Sequence, residues 1–321
     1  MIAQISKFKY SKILVTGGAG FIGTNLCTRL LNETTSEVIC LDNLRTGRKE
    51  NIEKLFSKKF TFINHDIRKP FDINADLIIN LACPASPVAY QKDKVFTAET
   101  SSLGIMNVCQ NANKYSSHIL HASTSEIYGD PLVNPQSENY FGNVNINGTR
   151  SCYDEGKRFA ETYLMDFANK FEINYKIIRI FNTYGPHMDV DDGRVVSNFI
   201  NQAIRNENIS IYGSGKQTRS ICYIDDLVSG ILKIMDSKKS NFVTNLGNDH
   251  EMSILEIAKI IIDLTGSKSN LTFLDLPQND PKQRRPDLSY LRSLIDWGKL
   301  TNSEDGLRKT IKYFKLSLIH I

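Results

Sequence analysis

Two periods of apolar residues share the first 180 positions. Short apolar runs at Lys12–Thr16, 38–41, Phe60–Asn64, Leu77–Asn80, 119–122 and Tyr175–Ile180 read as buried strands. Between them apolar residues recur three and four apart, as in Phe21, Leu26 and Leu30 and in the segments 95–112 and 153–170, which is the spacing of a helix face. Strand alternating with helix predicts an α/β fold, a doubly wound parallel sheet of the Rossmann type. After about Thr183 the alternation loosens. Loops at 184–192 and 213–216 carry Gly or Pro, and helical segments at 195–205, 224–235, 254–264 and 303–314 follow. The pattern predicts a larger α/β domain over 1–183 and a smaller mixed lobe over 184–321, with some exchange of chain between them.

Composition supports a globular protein and narrows its partners. Of 321 residues, 41% are hydrophobic and 23% charged, enough for a sizeable core. The net charge of +4 is spread along the chain without the clustered basic stripe that a nucleic acid requires, so no nucleic-acid partner is expected. The first residues carry Lys7, Lys9 and Lys12 and lack the apolar run of a secretory signal, and no stretch approaches membrane-spanning length. A cytoplasmic protein with no membrane partner is the expectation. Cys27, Cys40, Cys83, Cys109, Cys152 and Cys222 lie far apart with no Cys-x-x-Cys pair and no nearby His, so they read as buried free thiols and no metal is expected.

The first candidate chemistry follows the first strand. Thr16-Gly17-Gly18-Ala19-Gly20-Phe21-Ile22-Gly23 joins that strand to the first helix. Gly17 permits the tight turn, Gly20 lets the backbone approach a pyrophosphate, and Gly23 lets helix and strand pack closely, while the helix N-terminus offers free N–H donors. Asp42 ends the second strand, where a carboxylate binds a ribose 2′-hydroxyl and repels a 2′-phosphate, favouring NAD over NADP. Arg45 and Arg48 admit two readings, solvated loop charges or phosphate partners. Asp66 and Ile67, after the third strand, are placed to meet an adenine or to form an ordinary turn.

A second set of residues belongs to acid–base chemistry. Tyr153 and Lys157 lie four apart on one helix face, where an ammonium can assist a phenolate. A phenol of ordinary pKa near 10 needs about 4 kcal/mol of preferential stabilisation to act as a base at neutral pH. The strand at 119–122 runs into Ser123-Thr124-Ser125-Glu126, bringing hydroxyls and a carboxylate to the carboxyl end of a parallel strand, where ligands bind.

With these residues in place the chain resembles the extended short-chain dehydrogenases of the nucleotide-sugar-modifying group, and within it is most similar to UDP-glucuronate decarboxylases. The stretches that carry the resemblance are Leu81-Ala82-Cys83-Pro84-Ala85-Ser86-Pro87, 123–131, 152–158, 179–186, 192–199, 212–219 and Arg284-Arg285-Pro286-Asp287. The resemblance implies a catalytic triad of Thr124, Tyr153 and Lys157, with Glu126 positioning the sugar and moving protons. It implies that Phe21, Ile22, Asn43, Thr46, Gly47, Leu81, Thr100, Thr183 and Arg194 help to hold NAD. On the substrate side it implies Asn182, Tyr212 and Arg219 at the nucleotide diphosphate and Arg284 at a sugar carboxylate.

The family usually has lysine where Glu99 stands, asparagine at Ser101, and prolines at Ile146 and Thr149. A carboxylate at Glu99 facing a uronate would repel it by about 1–4 kcal/mol. Glu99 thus favours an alternative, a C4 dehydrogenase or epimerase of a sugar without a carboxylate, and Arg284 favours the uronate. A non-catalytic NAD-binding sensor is the third reading, opposed by the intact triad. The resemblance also implies a homodimer paired through the helices at 95–112 and 153–170.

Overall fold

The computed structural model describes residues 8–275 and 283–319, so the first seven residues, Lys7 among them, lie outside the described residues. Seven parallel strands form the main sheet: β1 (Lys12–Thr16), β2 (Glu37–Asp42), β3 (Phe60–Asn64), β4 (Leu77–Asn80), β5 (His118–Thr124), β6 (Tyr175–Ile180) and a late arrival, β11 (Phe242–Leu246). Their order is β11-β6-β5-β4-β1-β2-β3. The direction of winding reverses between β1 and β4, which opens a crevice at the carboxyl ends of those strands.

Period-two alternation within each strand decides which helix covers which face. Ile13 and Val15 of β1 and Leu120 of β5 share a core with Leu26 and Leu30 of α1 (Phe21–Glu33) and with Leu227 and Ile231 of α7 (Ile224–Asp236). Leu14, Ile78 and Ile177 face the other way, onto Ile105 and Val108 of α4 (Lys94–Tyr115) and Leu164 of α5 (Ser151–Phe171). Both faces are therefore buried, as a wholly parallel sheet requires.

β11 departs from the sequence pattern. Its residues Thr244 and Asn245 are polar yet fully buried, so no apolar run announces the strand. Tertiary hydrogen bonds hold them: Tyr128 donates to Asn245 Oδ1 at 2.8 Å, and Asn245 Nδ2 donates to the carbonyls of Gln136 and Asp287. Tyr128 in turn accepts from Arg179 of β6, whose guanidinium pairs with Glu161 of α5 at 2.8 Å. A row of buried polar side chains thus ties the end of the sheet together.

The remaining strands are short. β7 (Thr183–Tyr184) pairs with β10 (Cys222–Tyr223), β8 (Ile209–Tyr212) with β13 (Leu271–Leu274), and β9 (Thr218–Ser220) with β12 (Glu251–Ser253). Helices α6 (Val195–Ile204), α8 (Ile254–Thr265) and α10 (Ser303–Ile319) pack together in this lobe. A capping box starts α8, with Ser253 and Glu256 each accepting from the other's backbone N–H. Three one-turn or two-turn helices, α2 (Lys49–Ile52), α3 (Pro87–Lys92) and α9 (Ser289–Leu294), complete the chain. Among the described residues no helix is long and apolar enough to cross a membrane.

Candidate active site

A cleft of about 1180 Å³ runs along the carboxyl ends of the strands, from the glycine turn to the second lobe. At the turn, Gly17 has φ +71°, and a Cβ there would meet Ala82 Cα at 2.8 Å. A Cβ on Gly23 would fall 2.2 Å from the Gly17 carbonyl. Gly20 differs: a Cβ there would have only the Gly17 carbonyl, at 3.3 Å, for a neighbour, so its backbone is open to the cleft. Gly20 is also the N-cap of α1 and brings no capping side chain, which leaves the first N–H groups of the helix for an anion.

Asp42 closes this end. Its carboxylate accepts from the backbone N–H of Ala19 at 3.0 Å and of Leu44 at 2.8 Å, and thereby ties the second strand to the glycine turn. Burial pushes its pKa up more than these two bonds pull it down. Each oxygen keeps lone-pair capacity for a ribose hydroxyl. Phe21, Ile22, Asn43, Thr46, Gly47, Asp66, Ile67, Leu81 and Thr100 line the same end. Arg45 and Arg48 are engaged at the rim, Arg45 with Asp93 at 2.7 Å and Arg48 with Asp189 at 2.8 Å. Glycine cradle, uncapped helix and carboxylate together fit a dinucleotide.

In mid-cleft, β5 ends at Thr124, and a 3₁₀ turn (Ser125–Tyr128) swings Glu126 inward, with Thr124 Oγ1 accepting from the Glu126 N–H at 3.2 Å. Tyr153 and Lys157 come from the first turns of α5, both buried. The Lys157 ammonium donates to the Ala122 carbonyl at 2.8 Å and lies 5.9 Å from the centre of the Tyr153 ring. Burial, followed by the Cys83 thiol, pushes the Tyr153 phenol up, while the Thr124 hydroxyl and Arg194 pull it down. Burial wins, and the phenol stays above its ordinary value. Burial also lowers the pKa of Lys157. The Tyr90 ring stacks on Tyr153 at 5.1 Å with planes 4° apart, which fixes the phenol's tilt.

The sugar end is built by charge. Glu126 accepts from both Arg150 and Arg284. Burial would push its carboxyl up, but Arg284 and Arg150 outweigh it and hold the group down at about 2. Arg284 is only 4% exposed and also donates to the Gly129 carbonyl at 3.2 Å. Its segment is anchored by Gln136, whose N–H donates to the Arg285 carbonyl and whose carbonyl accepts from Asp287, both at 2.8 Å. Asn182, Thr183, Arg194, Tyr212 and Arg219 line the cleft walls around this end, with Arg194 braced on Asp192 at 2.9 Å.

Glu99 is not brought to the cleft. It lies on α4 with its side chain 43% exposed, paired with Arg68 at 2.7 Å, and it is absent from the cleft wall. The expected repulsion of a uronate is therefore corrected: the carboxylate turns to a neighbouring guanidinium, and the helix carries it outside the cleft. Arg68 also serves Asp66 at 2.8 Å, and its hydrogen bonds outweigh burial to lower the Asp66 carboxyl.

The model of the NAD dependent epimerase/dehydratase family matches residues 13–247. The chain belongs to that family. Among similar members, UDP-glucuronic acid decarboxylase 1 of Xenopus tropicalis is 45% identical over 317 residues, covering 98% of this chain and 75% of that protein. UDP-glucuronic acid decarboxylase 6 of Arabidopsis thaliana is 44% identical over 316 residues, covering 98% and 92% respectively. A solved UDP-glucuronic acid 4-epimerase of Bacillus cereus, in complex with UDP-glucuronic acid and NAD, superimposes with a TM-score of 0.86 at 28% identity, covering 95% of this chain and 99% of that one.

As an enzyme of the NAD dependent epimerase/dehydratase family, the chain takes NAD as its cofactor and acts on a nucleotide sugar. Its glycine turn and Asp42 are the parts suited to hold that cofactor. Three members of the site escaped the sequence reading: Arg150, Tyr90 and Asp154. Arg150 left a faint signal, since an arginine stands at the N-cap of α5 where a short polar residue is the usual choice. Tyr90 and Asp154 gave none, because each matters through a neighbour from a distant segment.

Proposed function

We propose that this protein is a UDP-glucuronate decarboxylase that oxidises C4 of the sugar, releases CO₂ and reduces the resulting ketone to a UDP-pentose. The observation that carries the reading is the paired clamp of Arg284 and Arg150 on Glu126, beside Tyr153 and Thr124 in one cleft. Two guanidiniums on one carboxylate, Arg284 buried and Arg150 partly so, leave a net positive charge, which suits a second carboxylate arriving on the substrate. With Glu99 paired to Arg68 outside the cleft, nothing on its wall singles out a neutral sugar.

Each residue has a task. Tyr153 takes the proton of the C4 hydroxyl, and Thr124 hydrogen-bonds to the phenolate as it forms. Lys157 holds positive charge behind the ring while anchored on the Ala122 carbonyl. Bound NAD supplies the acceptor for the C4 hydrogen with its electron pair, and returns both later. The new ketone lies β to the carboxylate, so CO₂ leaves with the bonding electrons held as an enolate. Arg284 keeps the carboxylate in register until then, and the enolate carbon afterwards takes up one proton. Asn182, Tyr212 and Arg219 hold the nucleotide diphosphate.

The test is UDP-glucuronate with the purified protein, read by mass detection of CO₂ and UDP-pentose. Stoichiometric release of both without net consumption of NAD is expected. An inert UDP-glucuronate under conditions where a neutral nucleotide sugar reacts would overturn the assignment.

A homodimer accompanies this reading. Along one face of α5, Tyr163 stacks with Phe159 and Phe167, and Phe171 tilts against Phe167, with Phe159 44% and Phe171 40% exposed; Leu103 on α4 is exposed as well. A face of four aromatic rings on a long helix is apolar surface that a second copy would bury. A monomer in sedimentation at micromolar concentration would refute it.

A further inference from the structure

Two guanidiniums grip Glu126 and hold it as a carboxylate, so proton transfer by Glu126 calls for one of them to shift to another acceptor. Such an acceptor lies four residues beyond Arg150 on the same helix. Asp154 is 6% exposed and absent from the cleft wall, and its Oδ1 has no hydrogen-bond partner among the described residues. Its backbone N–H donates to the Arg150 carbonyl at 3.1 Å, so the two side chains leave adjacent turns of one helix face.

The charged groups around Asp154 are Glu126 from the turn after β5, Arg284 from the segment before α9, and Arg150 and Glu155 from its own helix. The Tyr90 hydroxyl of α3 and the Cys152 thiol also face it. Because Glu126 has taken both cations, a second carboxylate here is disfavoured. Burial first, and then Glu126, raise the Asp154 carboxyl to about 7.

We propose that Asp154 is the second seat of Arg150 and the store of the proton that decarboxylation consumes. The proposal rests on the decarboxylase reading. When the substrate carboxylate engages Arg284, Arg150 moves from Glu126 to Asp154, and the Asp154 proton passes to Glu126. Guanidinium and proton exchange places, so the charge of the cluster does not change. Loss of CO₂ from a uronate leaves a carbanion equivalent that needs one proton. Glu126 gives it, becomes a carboxylate and regains Arg150. Asp154 is reprotonated from water as product leaves, which accounts for the one proton taken up per turnover. Asp154 is a positioning residue, since it lies off the cleft wall and acts through Arg150 and Glu126.

Infrared difference spectroscopy of the NAD-loaded Tyr153→Phe protein, which binds but cannot oxidise, reads the exchange when UDP-glucuronate is added. One protonated-carboxyl band should disappear and another appear, and both should vanish in Tyr153→Phe/Asp154→Asn. In the otherwise native enzyme, Asp154→Asn should lower kcat at least about tenfold at mildly acidic pH with KM within about threefold, and should remove the fall in kcat/KM above neutral pH. Asp154→Glu should restore the band pair and the alkaline fall, which a merely structural role would not do, and it supplies the readout if the Asn variant does not fold. Binding of UDP-glucuronate with no carboxyl signal, or a signal indifferent to Asp154→Asn, would overturn the proposal while CO₂ release still stood. Failure of UDP-glucuronate to bind at all, seen as no thermal shift, would overturn the decarboxylase reading and this proposal together.

Discussion

The two ends of the cleft are made of different materials. At the cofactor end the ligand-facing surface is mainly backbone, an open Gly20 and the N–H groups of α1, with one side-chain carboxylate, Asp42, already tied to the N–H groups of Ala19 and Leu44. At the sugar end it is side chains, with Glu126, Arg150 and Arg284 drawn from three separate segments and held by mutual charge, and Asp154 behind them. Backbone sites are rigid and general, suited to a cofactor shared by many reactions. Charge clusters can be rearranged by one incoming ion, which suits a step that must happen only when the right substrate is present.

The sharpest separation of the two ends is expected at Tyr153, where they meet. Tyr153→Phe should cost roughly 10³-fold in turnover while NAD affinity stays within a few-fold, because only the phenolic oxygen is lost. Release of CO₂ at a near-native rate would remove Tyr153 as the base. Next in size, Gly23→Ala forces a methyl to within 2.2 Å of the Gly17 carbonyl. Misfitting the turn by about 3 kcal/mol should weaken NAD binding about 100-fold, measurable by fluorescence titration. If the variant bound NAD normally, the rigidity assigned to the backbone end would be wrong.

Arg284→Ala attacks the other material. Removing one of two guanidiniums leaves both Glu126 and an incoming uronate short of a partner, at about 2 kcal/mol or roughly 30-fold in kcat/KM for UDP-glucuronate, with NAD binding unchanged. Equal losses at both ends would blur the contrast.

A smaller effect should appear in stability. The folded-state pKa of Asp154, about 7, lies above its unfolded value of about 4, so the native state holds the extra proton between them. That contribution is fully present below about pH 4 and is lost as pH rises through about 7. Asp154→Asn, which cannot ionise, should therefore gain on the wild type by about 1–3 kcal/mol between pH 5 and 8, read from parallel thermal melts. A constant gap across that range would leave Asp154 without its raised pKa. Smallest of all, Glu99→Lys breaks a half-exposed pair with Arg68 and should change kcat/KM for UDP-glucuronate less than about twofold. A large gain for the uronate would return Glu99 to the sugar end.

The same contrast governs what the sequence reveals. Glycines at 17, 20 and 23 and an acid at the end of the second strand act through local geometry, so their spacing is legible, as are the first six strands of the sheet. Lys157 is legible as a partner of Tyr153, but not the Ala122 carbonyl that holds it. Glu99 was misread because sequence position alone does not tell which side of α4 faces the cleft. Asp154 was invisible, since its importance lies in the cations that Glu126 has already taken. β11 hid for a related reason: Thr244 and Asn245 are polar residues in a buried strand, explained only by partners more than 40 residues away.

That late strand sets a timetable for the chain during synthesis. Every residue of the nucleotide-binding turn has left the ribosome long before β11 exists, and until it does β6 exposes an unpaired hydrogen-bonding edge. Tyr128, which accepts from Arg179, waits in the same interval for the asparagine that completes the row. A nascent chain halted near residue 183 would own most of a cofactor site and an open sheet, a form more apt to aggregate or recruit chaperones than to work. The enzyme's first half is thus finished by its second.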